Sequence, residues 1–335
     1  MIFIFLVVFL TALILAIVLT PLARQLAARI GAMDLPAPRR VHDAPTPRLG
    51  GVPIFVAFFV AVALSLIYPR SDPNELTRLA GLFIGASILF LVGLYDDRRE
   101  LPALPQLAAQ FIAVAIAVNA GVLIHELPNP FGAPFVLDDW FAVAFTLFWL
   151  MGMINTVNWL DGVDGLAAGV TGIAATVMFI HTFRLEQYSI ALLGAVLIGT
   201  VLGFLPLNVF PARIFMWSAG ALVLGFLLGV LSIIGGAKVA STLLVLCIPI
   251  LDVAWQIYSR VRAGRSPFTA ARTHLHHRLL DLGFSQRAIV LIYYAITALL
   301  GALALILPSG AYKLIALAVV GTGVLLLLAK IRQRS

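Results

Sequence analysis

The sequence predicts an all-α, polytopic integral membrane protein, and three observations support this prediction. Of the 335 residues, 62% are hydrophobic and only 11% are charged, whereas about 25% of the residues in a soluble domain are charged. The apolar residues fall into runs of about 20, the length that an α-helix needs to cross the hydrocarbon core of a bilayer. The basic residues collect in the connections between these runs, and their number alternates from one connection to the next.

Eleven apolar segments are expected to be transmembrane helices. They lie at residues 2–21, 49–68, 79–95, 104–124, 138–154, 165–183, 189–206, 219–235, 239–259, 288–307 and 311–330. The first segment has no basic residues before it and no evident small-residue cleavage site, so we expect a retained helix rather than a signal peptide. No repeat or separate soluble segment interrupts the chain, and residues 1–335 are therefore expected to form one domain. The single cysteine, Cys247, excludes an internal disulfide.

The distribution of Lys and Arg predicts the orientation in the membrane. With eleven spans, 17 of the 22 basic residues fall on one side of the membrane and 5 on the other. Cytoplasmic connections carry the excess of positive charge, so we expect the N-terminus outside and the C-terminus in the cytoplasm of a plasma-membrane protein. The net charge of +7 then reflects topology and does not indicate a nucleic-acid partner.

Adjacent carboxylates, Asp96 and Asp97, end the third apolar segment on the expected cytoplasmic side. Two neighbouring carboxylates repel each other unless a cation or a proton intervenes, and they suit Mg²⁺, which binds oxygen ligands. The alternative interpretation is a solvated helix end whose carboxylates pair with Arg98 and Arg99.

A second polar cluster follows the fifth segment, where Asn155, Asn158, Asp161 and Asp164 recur every three residues. On one continuous helix the first and last members of this series would drift to opposite faces. The nearby glycines at 162 and 165 weaken a regular helix and permit close backbone approach. We therefore predict a broken helix end that lines a polar cavity; the alternative is an N-cap provided by Asp161 or Asp164.

Basic side chains on the same side form a third group of candidates. Imidazole and guanidinium groups suit a diphosphate better than a hard metal ion. The candidate diphosphate-binding residues are His274, His276 and His277 with Arg272 and Arg278. The loop that contains Arg39, Arg40, His42 and Arg48 lies on the same side of the membrane. In contrast, Trp159 and Trp217 are expected to be interfacial membrane anchors, and the glycine-rich stretch 225–236 is expected to permit close helix packing.

The order of these motifs resembles the polyprenyl-phosphate N-acetylhexosamine-1-phosphate transferases, also called glycosyltransferase family 4, and in particular its WecA/TagO branch; MraY is a more distant relative. The matching segments are RRVH (39–42), PTPRLGG (45–51), GLYDDR (93–98), NTVNWLDGVDGLAAG (155–169), FLPLN (204–208), PILD (249–252) and HLHHRL (274–279). The resemblance covers nearly the whole chain, and it also implies eleven membrane helices.

The resemblance implies transfer of an N-acetylhexosamine-1-phosphate, with GlcNAc as the default sugar, from a UDP-sugar to undecaprenyl phosphate. UMP is released, and the step begins synthesis of an envelope polysaccharide or glycoconjugate. It implies Mg²⁺ or Mn²⁺ as cofactor, catalytic roles for Asp96, Asp97, Asp161 and Asp164, and metal ligation by Asp97, Asp161 and Asp164. It further implies that phosphates and sugar are bound by Arg39, Arg40, His42, Arg48, Asn155, Asn158, Asn208, Arg272, His274, His276 and His277. A homodimer is a further expectation.

Three positions depart from the family pattern. Ser218 stands where the family usually has a metal-binding Asp, Ala271 replaces an Asp, and Gln106 replaces a Lys. An alternative hypothesis is therefore an impaired family member that acts as a binding or regulatory subunit. A third is a proton- or ion-coupled transporter, which would need charged groups near the membrane midplane rather than on one side.

Overall fold

The computed structural model describes residues 2–35, 44–70, 72–129, 131–235, 239–264, 266, 274–308 and 310–332. This part of the chain is nearly all α-helical. Its helices are α1 (Ile2–Ile30), α2 (Gly51–Ser65), α3 (Glu75–Arg99), α4 (Ala103–Asn119), α5 (Asp139–Leu160), α6 (Leu166–Arg184), α7 (Tyr188–Asn208), α8 (Trp217–Ile234), α9 (Val239–Val245), α10 (Cys247–Arg262), α11 (Leu275–Asp281), α12 (Gln286–Ile306) and α13 (Gly310–Arg332). The strands form two antiparallel pairs, β1 (Met33–Asp34) with β2 (Thr46–Pro47) and β3 (Glu126–Leu127) with β4 (Phe135–Val136).

Each predicted apolar segment is helical, and the multi-pass membrane architecture is confirmed. Among the described residues, seven helices are long and apolar enough to cross a membrane, and the bent pair α9–α10 raises this number to eight if it forms one span. The other apolar helices, α2, α4 and Gly310–Leu326 within α13, are shorter.

The expected segment 239–259 is helical but not continuous, because α9 and α10 meet at an angle of 83°. Proline has no N–H, so Pro249 could not donate to the carbonyl of Val245 in a continuous helix. The break at Leu246 places Pro249 in the first turn of α10, where its missing donor has no cost.

Helix α8 lies at the centre of the bundle, and every residue from Ala219 to Ile234 is buried. A helix that is apolar on all sides is buried on all sides. Glycines allow its neighbours to approach closely. A Cβ added at Gly225 would lie 2.7 Å from the Cα of Ile154 on α5, and one at Gly93 on α3 would lie 2.4 Å from the Cα of Ala219. These contacts bring the C-terminal ends of α3 and α5 to the beginning of α8.

A buried ion pair at the other end of α3 should contribute strongly to stability. The side chains of Arg70 and Glu75 are only 9% and 4% exposed, and Ser189 Oγ donates to Glu75 Oε2 at 2.7 Å. Replacing Glu75 by Ala leaves the guanidinium buried and unpaired, so we expect a loss of about 3 kcal/mol, measured by thermal unfolding in detergent. The control is Asp72→Ala, which breaks the more exposed pair with Arg78 and should cost at most about 1 kcal/mol. Equal losses in the two variants would contradict this prediction.

Candidate active site

Two of the predicted carboxylates meet at the N-terminus of α8. Asp97 Oδ1 accepts a hydrogen bond from Ser218 N at 2.9 Å, and its Oδ2 accepts one from Ala219 N at 3.4 Å. Asp161 accepts from the backbone N–H of Trp217. The first N–H groups of a helix lack intrahelical acceptors and carry partial positive charge. Three consecutive amides of α8 therefore hold carboxylates from α3 and from the end of α5 next to each other.

Asp96 points away from these amides and is held by donors from three segments. Its Oδ1 accepts from Leu101 N at 2.7 Å and from Gln106 Nε2 at 2.8 Å, and its Oδ2 accepts from Ser218 Oγ at 2.5 Å. Gln106 and Ser218 are two of the three departures from the family pattern, and both contact the same carboxylate. The position of Asp96 is thus fixed by hydrogen bonds from neutral side chains.

The predicted break in the Asn–Asp series is confirmed. Helix α5 ends at Leu160 and α6 begins at Leu166, with Gly165 in the left-handed region at φ +79°. Asp164 Oδ2 accepts from Ala212 N at 2.9 Å. Burial raises the pKa of Asp161 to about 7, and the nearby Asp164 carboxylate acts in the same direction. The hydrogen bond from Trp217 N–H opposes this rise. A cation placed beside these two carboxylates would relieve their repulsion.

The histidine cluster lies against the same connection between α5 and α6. A Cβ added at Gly162 would lie 2.4 Å from His276 Nε2 and 3.3 Å from His277 Nε2. The rings of His274 and His276 are parallel, with centroids 5.6 Å apart. Neither ring nitrogen of His276 has a hydrogen-bond partner among the described residues. Burial and the neighbouring imidazoles hold the pKa of His276 well below its usual value, so this ring is neutral at pH 7.

Asp252, which was not among the predicted site residues, orients the cluster. Asp252 Oδ2 lies 2.9 Å from His274 Nδ1, and Asp252 Oδ1 accepts from Leu275 N at 3.0 Å. This carboxylate is 5% exposed, and burying an unpaired carboxylate would be costly. An acidic residue inside the apolar segment 239–259 was the available signal, but its partner could not be read from the sequence.

The contact between Gly162 and His276 gives a direct test of the cluster. Because Gly162 has no positive φ, an Ala there is restricted by the imidazole and not by backbone strain. We expect Gly162→Ala to displace the ring and to lower kcat/KM about tenfold or more, since small misplacements of site residues slow catalysis strongly. Gly152→Ala is the matched control, because a Cβ at Gly152 meets nothing within 4 Å. Equal losses of activity in the two variants would contradict a specific effect of Gly162→Ala through His276.

Other predicted binding residues are fixed by contacts within the protein. Arg48 pairs with Asp34, donates from Nη1 to the carbonyl of Asp97 at 3.2 Å, and stacks 3.8 Å from the ring centroid of Trp217. Trp159 lies against His274, with ring centroids 5.6 Å apart. Both tryptophans, expected to anchor the protein at the membrane interface, therefore border the polar site. Arg39, Arg40, His42, Ala271 and Arg272 lie outside the described residues.

The three predicted asparagines occupy different environments. Asn155 pairs with Gln110 on α4, donating from Nδ2 to Oε1 at 2.6 Å. Asn155 and Asn158 also line a cavity of about 180 Å³ between α4 and α5, together with Leu101, Ala103, Gln106, Leu107, Gln110 and Trp159. Asn208 is buried and donates to the carbonyl of Ile214 at 3.0 Å. It therefore holds the connection from which Ala212 N reaches Asp164.

The proposed metal ligands do not form one complete cluster. In the described part of the chain, no three His, Cys, Asp or Glu side chains are grouped closely enough to hold an ion by themselves. Asp161 and Asp164 are nevertheless mutually repelling oxygen donors, whereas both oxygens of Asp97 accept backbone N–H groups. Mg²⁺ commonly binds one or two carboxylates and completes its shell with water and substrate phosphates. The Asp161–Asp164 pair fits this pattern. Metal ligation by Asp97 stays a prediction, since each of its oxygens accepts one backbone N–H group and keeps a further lone pair.

The bundle and its polar end define a multi-pass membrane protein with a cluster of carboxylates and histidines at one end. Comparison with known proteins agrees with this class. The sequence model described as glycosyl transferase family 4 matches residues 79–236. A probable undecaprenyl-phosphate N-acetylglucosaminyl 1-phosphate transferase of Bacillus subtilis (strain 168) is 33% identical over 310 residues, covering 90% of this chain and 85% of the relative.

Two further relatives have similar names. Decaprenyl-phosphate N-acetylglucosaminephosphotransferase of Mycobacterium tuberculosis (strain CDC 1551 / Oshkosh) is 35% identical over 314 residues, covering 85% of this chain and 78% of the relative. Undecaprenyl-phosphate alpha-N-acetylglucosaminyl 1-phosphate transferase of Yersinia pestis is 30% identical over 285 residues, covering 82% and 76%. The chain therefore belongs to glycosyl transferase family 4, in the WecA-like group of polyprenyl-phosphate sugar-phosphate transferases.

Proposed function

We propose that this protein transfers N-acetylglucosamine 1-phosphate from UDP-N-acetylglucosamine to undecaprenyl phosphate. The observation that carries the proposal is that Asp97 and Asp161 meet at the start of α8, with Asp164 close to Asp161 and the histidines packed against Gly162. The names of the relatives support the same chemistry. A lipid phosphate and a water-soluble nucleotide can meet only near the membrane surface, and the polar site lies at one end of the helical bundle.

In the proposed reaction, a phosphate oxygen of the lipid forms a bond to the β-phosphorus of the UDP-sugar. The bond from that phosphorus to the bridging oxygen breaks, and UMP leaves with the bonding electron pair. A bound Mg²⁺, held by Asp161 and Asp164, would neutralise charge on the diphosphate and on the departing UMP.

The other side chains have positioning and binding roles in this proposal. Asp97 fixes the N-terminus of α8 against α3, and Asp96 fixes Gln106 and Ser218. His276 presents uncharged ring nitrogens next to the connection between α5 and α6, where they can bind phosphate or sugar oxygens. The cavity between α4 and α5 offers amide groups from Asn155 and Asn158 to the sugar or the nucleotide.

We also propose an arrangement of eleven membrane helices with the N-terminus outside and the active site on the cytoplasmic face of the plasma membrane. The three shorter apolar helices and the bent α9–α10 pair would then each cross the bilayer or much of it. The charge bias of the connections supports this orientation. Cysteine residues placed singly in loops, with membrane-impermeant labelling of intact cells, test it.

The function is tested with purified protein, undecaprenyl phosphate, Mg²⁺ and UDP-N-acetylglucosamine labelled in the sugar. We expect a labelled lipid diphosphate and one UMP for each product, with UDP-N-acetylgalactosamine as the comparison donor. Asp97→Asn should abolish the product, because a carboxamide has one oxygen acceptor for the two amides of α8. A wild-type protein that makes no lipid product from any UDP-sugar would overturn the proposal and favour the binding-subunit hypothesis.

The pKa of Asp161 predicts how metal binding depends on pH. A carboxyl group must lose its proton to bind a divalent cation, and this one is ionised mainly above pH 7. Lowering the pH from 8 to 6 should therefore weaken metal binding about tenfold. Binding of Mn²⁺ measured by electron paramagnetic resonance, without either substrate, avoids titration of the lipid phosphate. Asp161→Asn should bind Mn²⁺ weakly at both pH values. A wild-type affinity for Mn²⁺ that does not change with pH would contradict the prediction.

A further inference from the structure

The opposite end of the bundle contains a buried cation with no role in the proposed reaction. Lys313, in the first turn of α13, is only 6% exposed. Its Nζ donates to Ser241 Oγ on α9 at 2.9 Å, and it forms no ion pair with a carboxylate of the described residues. A buried ammonium carries three donors and is costly to bury without a counter-charge. Within the described residues, this lysine has no anionic partner to offset the cost of burying its charge.

Lys313 and Ser241 line a cavity of about 270 Å³. A water molecule occupies about 30 Å³ of liquid volume, so the cavity can hold a polar group much larger than water. The remaining lining residues are Glu126, Leu127, Pro128, Pro134, His181, Ala240, Pro308 and Gly310. Because Lys313 is buried and Glu126 is exposed, the cation lies at the inner end of the cavity and the carboxylate lies near its opening.

This cavity is separate from the carboxylate–histidine site. Helix α6 begins at Leu166, beside Asp164, and reaches the cavity at His181. Fifteen residues of α-helix span about 22 Å at about 1.5 Å per residue. A ligand bound at Lys313 therefore cannot touch the groups that we assign to sugar-phosphate transfer, and the inference does not depend on the proposed function.

We propose that this cavity is a binding site for a phosphate group, with Lys313 Nζ and Ser241 Oγ as its direct partners. The chemistry follows from three features of the cavity. An ammonium group is a point charge that binds phosphate well, a serine hydroxyl donates to phosphate oxygens, and the cavity borders the N-terminus of α13, where backbone N–H groups favour anions. The phosphate is either that of a membrane lipid headgroup or free in solution. The carboxylate of Glu126 near the opening favours a lipid whose phosphate carries a neighbouring ammonium, such as phosphatidylethanolamine.

The test compares the full-length wild type with Lys313→Met, which keeps the volume of the side chain and removes its charge. Lipid retention is measured by native mass spectrometry with phosphatidylethanolamine, phosphatidylglycerol and, as a phosphate-free control, diacylglycerol. We expect Lys313→Met to bind the phospholipids about tenfold to hundredfold more weakly, the effect of losing one charge-assisted hydrogen bond, with diacylglycerol unaffected. Lys313→Arg should keep most of the binding. Ser241→Ala, which removes only a hydroxyl, should weaken binding without changing the buried charge.

A second arm separates the two sources of phosphate. If inorganic phosphate raises the unfolding temperature of the wild type more than that of Lys313→Met, and lipid retention is the same in both, the ligand is free phosphate. If retention differs and inorganic phosphate has equal effects, the ligand is a lipid headgroup. Phosphate bound at the distant catalytic end raises the unfolding temperature of all variants equally. The test therefore uses the difference between the temperature shifts of wild type and variant. Equal lipid retention together with equal shifts in inorganic phosphate would overturn the proposal. Unfolding temperatures measured without ligand show whether each variant is folded.

Discussion

Asp161→Asn is expected to lower kcat about a thousandfold or more. The substitution removes one of the two carboxylates that we assign to the metal, and a thousandfold change corresponds to about 4 kcal/mol of transition-state stabilisation. The shape of the residue is kept, and its amide oxygen can still accept from Trp217 N, so the fold should remain intact. Activity should be measured over a range of Mg²⁺ concentrations, because loss of a ligand also raises the concentration needed for half-maximal rate.

Asp139→Asn is the matched control for this experiment. Asp139 lies exposed in the first turn of α5, the helix that ends just before Asp161, and is at the end away from the site. The activity of Asp139→Asn should therefore stay within about twofold of wild type. Retention by Asp161→Asn of more than about a tenth of the wild-type rate, with an unchanged Mg²⁺ dependence, would exclude Asp161 as a metal ligand.

Ser218→Asp is expected to lower activity about a hundredfold, although it restores the residue type usual in the family. The hydroxyl of Ser218 lies 2.5 Å from Asp96 Oδ2, so a carboxylate there would face another carboxylate at hydrogen-bond distance. Two carboxylates sharing one site cannot both ionise without a large cost. Gln106 donates to the other oxygen of Asp96 at 2.8 Å, and a Lys at that position would supply the missing positive charge. The double variant Ser218→Asp with Gln106→Lys should therefore be at least about tenfold more active than Ser218→Asp alone.

The matched control is Ser218→Ala, which removes the hydroxyl but keeps the backbone N–H that Asp97 accepts. Its loss of activity should be about tenfold and smaller than that of Ser218→Asp, because Asp96 keeps the hydrogen bonds from Leu101 N and Gln106 Nε2 and meets no second carboxylate. The decisive comparison is turnover of labelled UDP-N-acetylglucosamine by the four proteins under the same conditions. A gain of activity in Ser218→Asp alone would contradict the prediction and support the hypothesis of an impaired family member.

Local composition was sufficient to predict much of the fold. An apolar run long enough to cross a bilayer must satisfy its backbone hydrogen bonds internally, and a helix does so without reference to the rest of the chain. Each predicted segment is accordingly helical. The bend between α9 and α10 was missed because Leu246 lies within an uninterrupted apolar run, where Pro249 gave only a weak signal.

The site was predictable in its residue types but not in its contacts. Polar residues are expensive in an apolar chain, so Asp97, Asp161 and the histidine cluster could be recognised from their positions alone. Their hydrogen-bond partners could not be recognised from the sequence. The amides of α8 that hold Asp97 come from residues more than 100 positions later in the chain, and the pairing of His274 with Asp252 depends on how α10 and α11 pack.

The sequence by itself determined that this chain is a multi-pass helical membrane protein with polar motifs in the order typical of glycosyl transferase family 4. Hydropathy, charge bias and motif order depend only on the order of residues along the chain. Only the tertiary structure decided which carboxylates share the N-terminus of α8, and that Gln106 and Ser218 both hold Asp96. It alone revealed the buried Lys313 beside a cavity at the other end of the bundle. Hydrogen bonds, burial and electrostatic repulsion act over a few ångströms between helices, and that distance is set by packing rather than by separation along the chain.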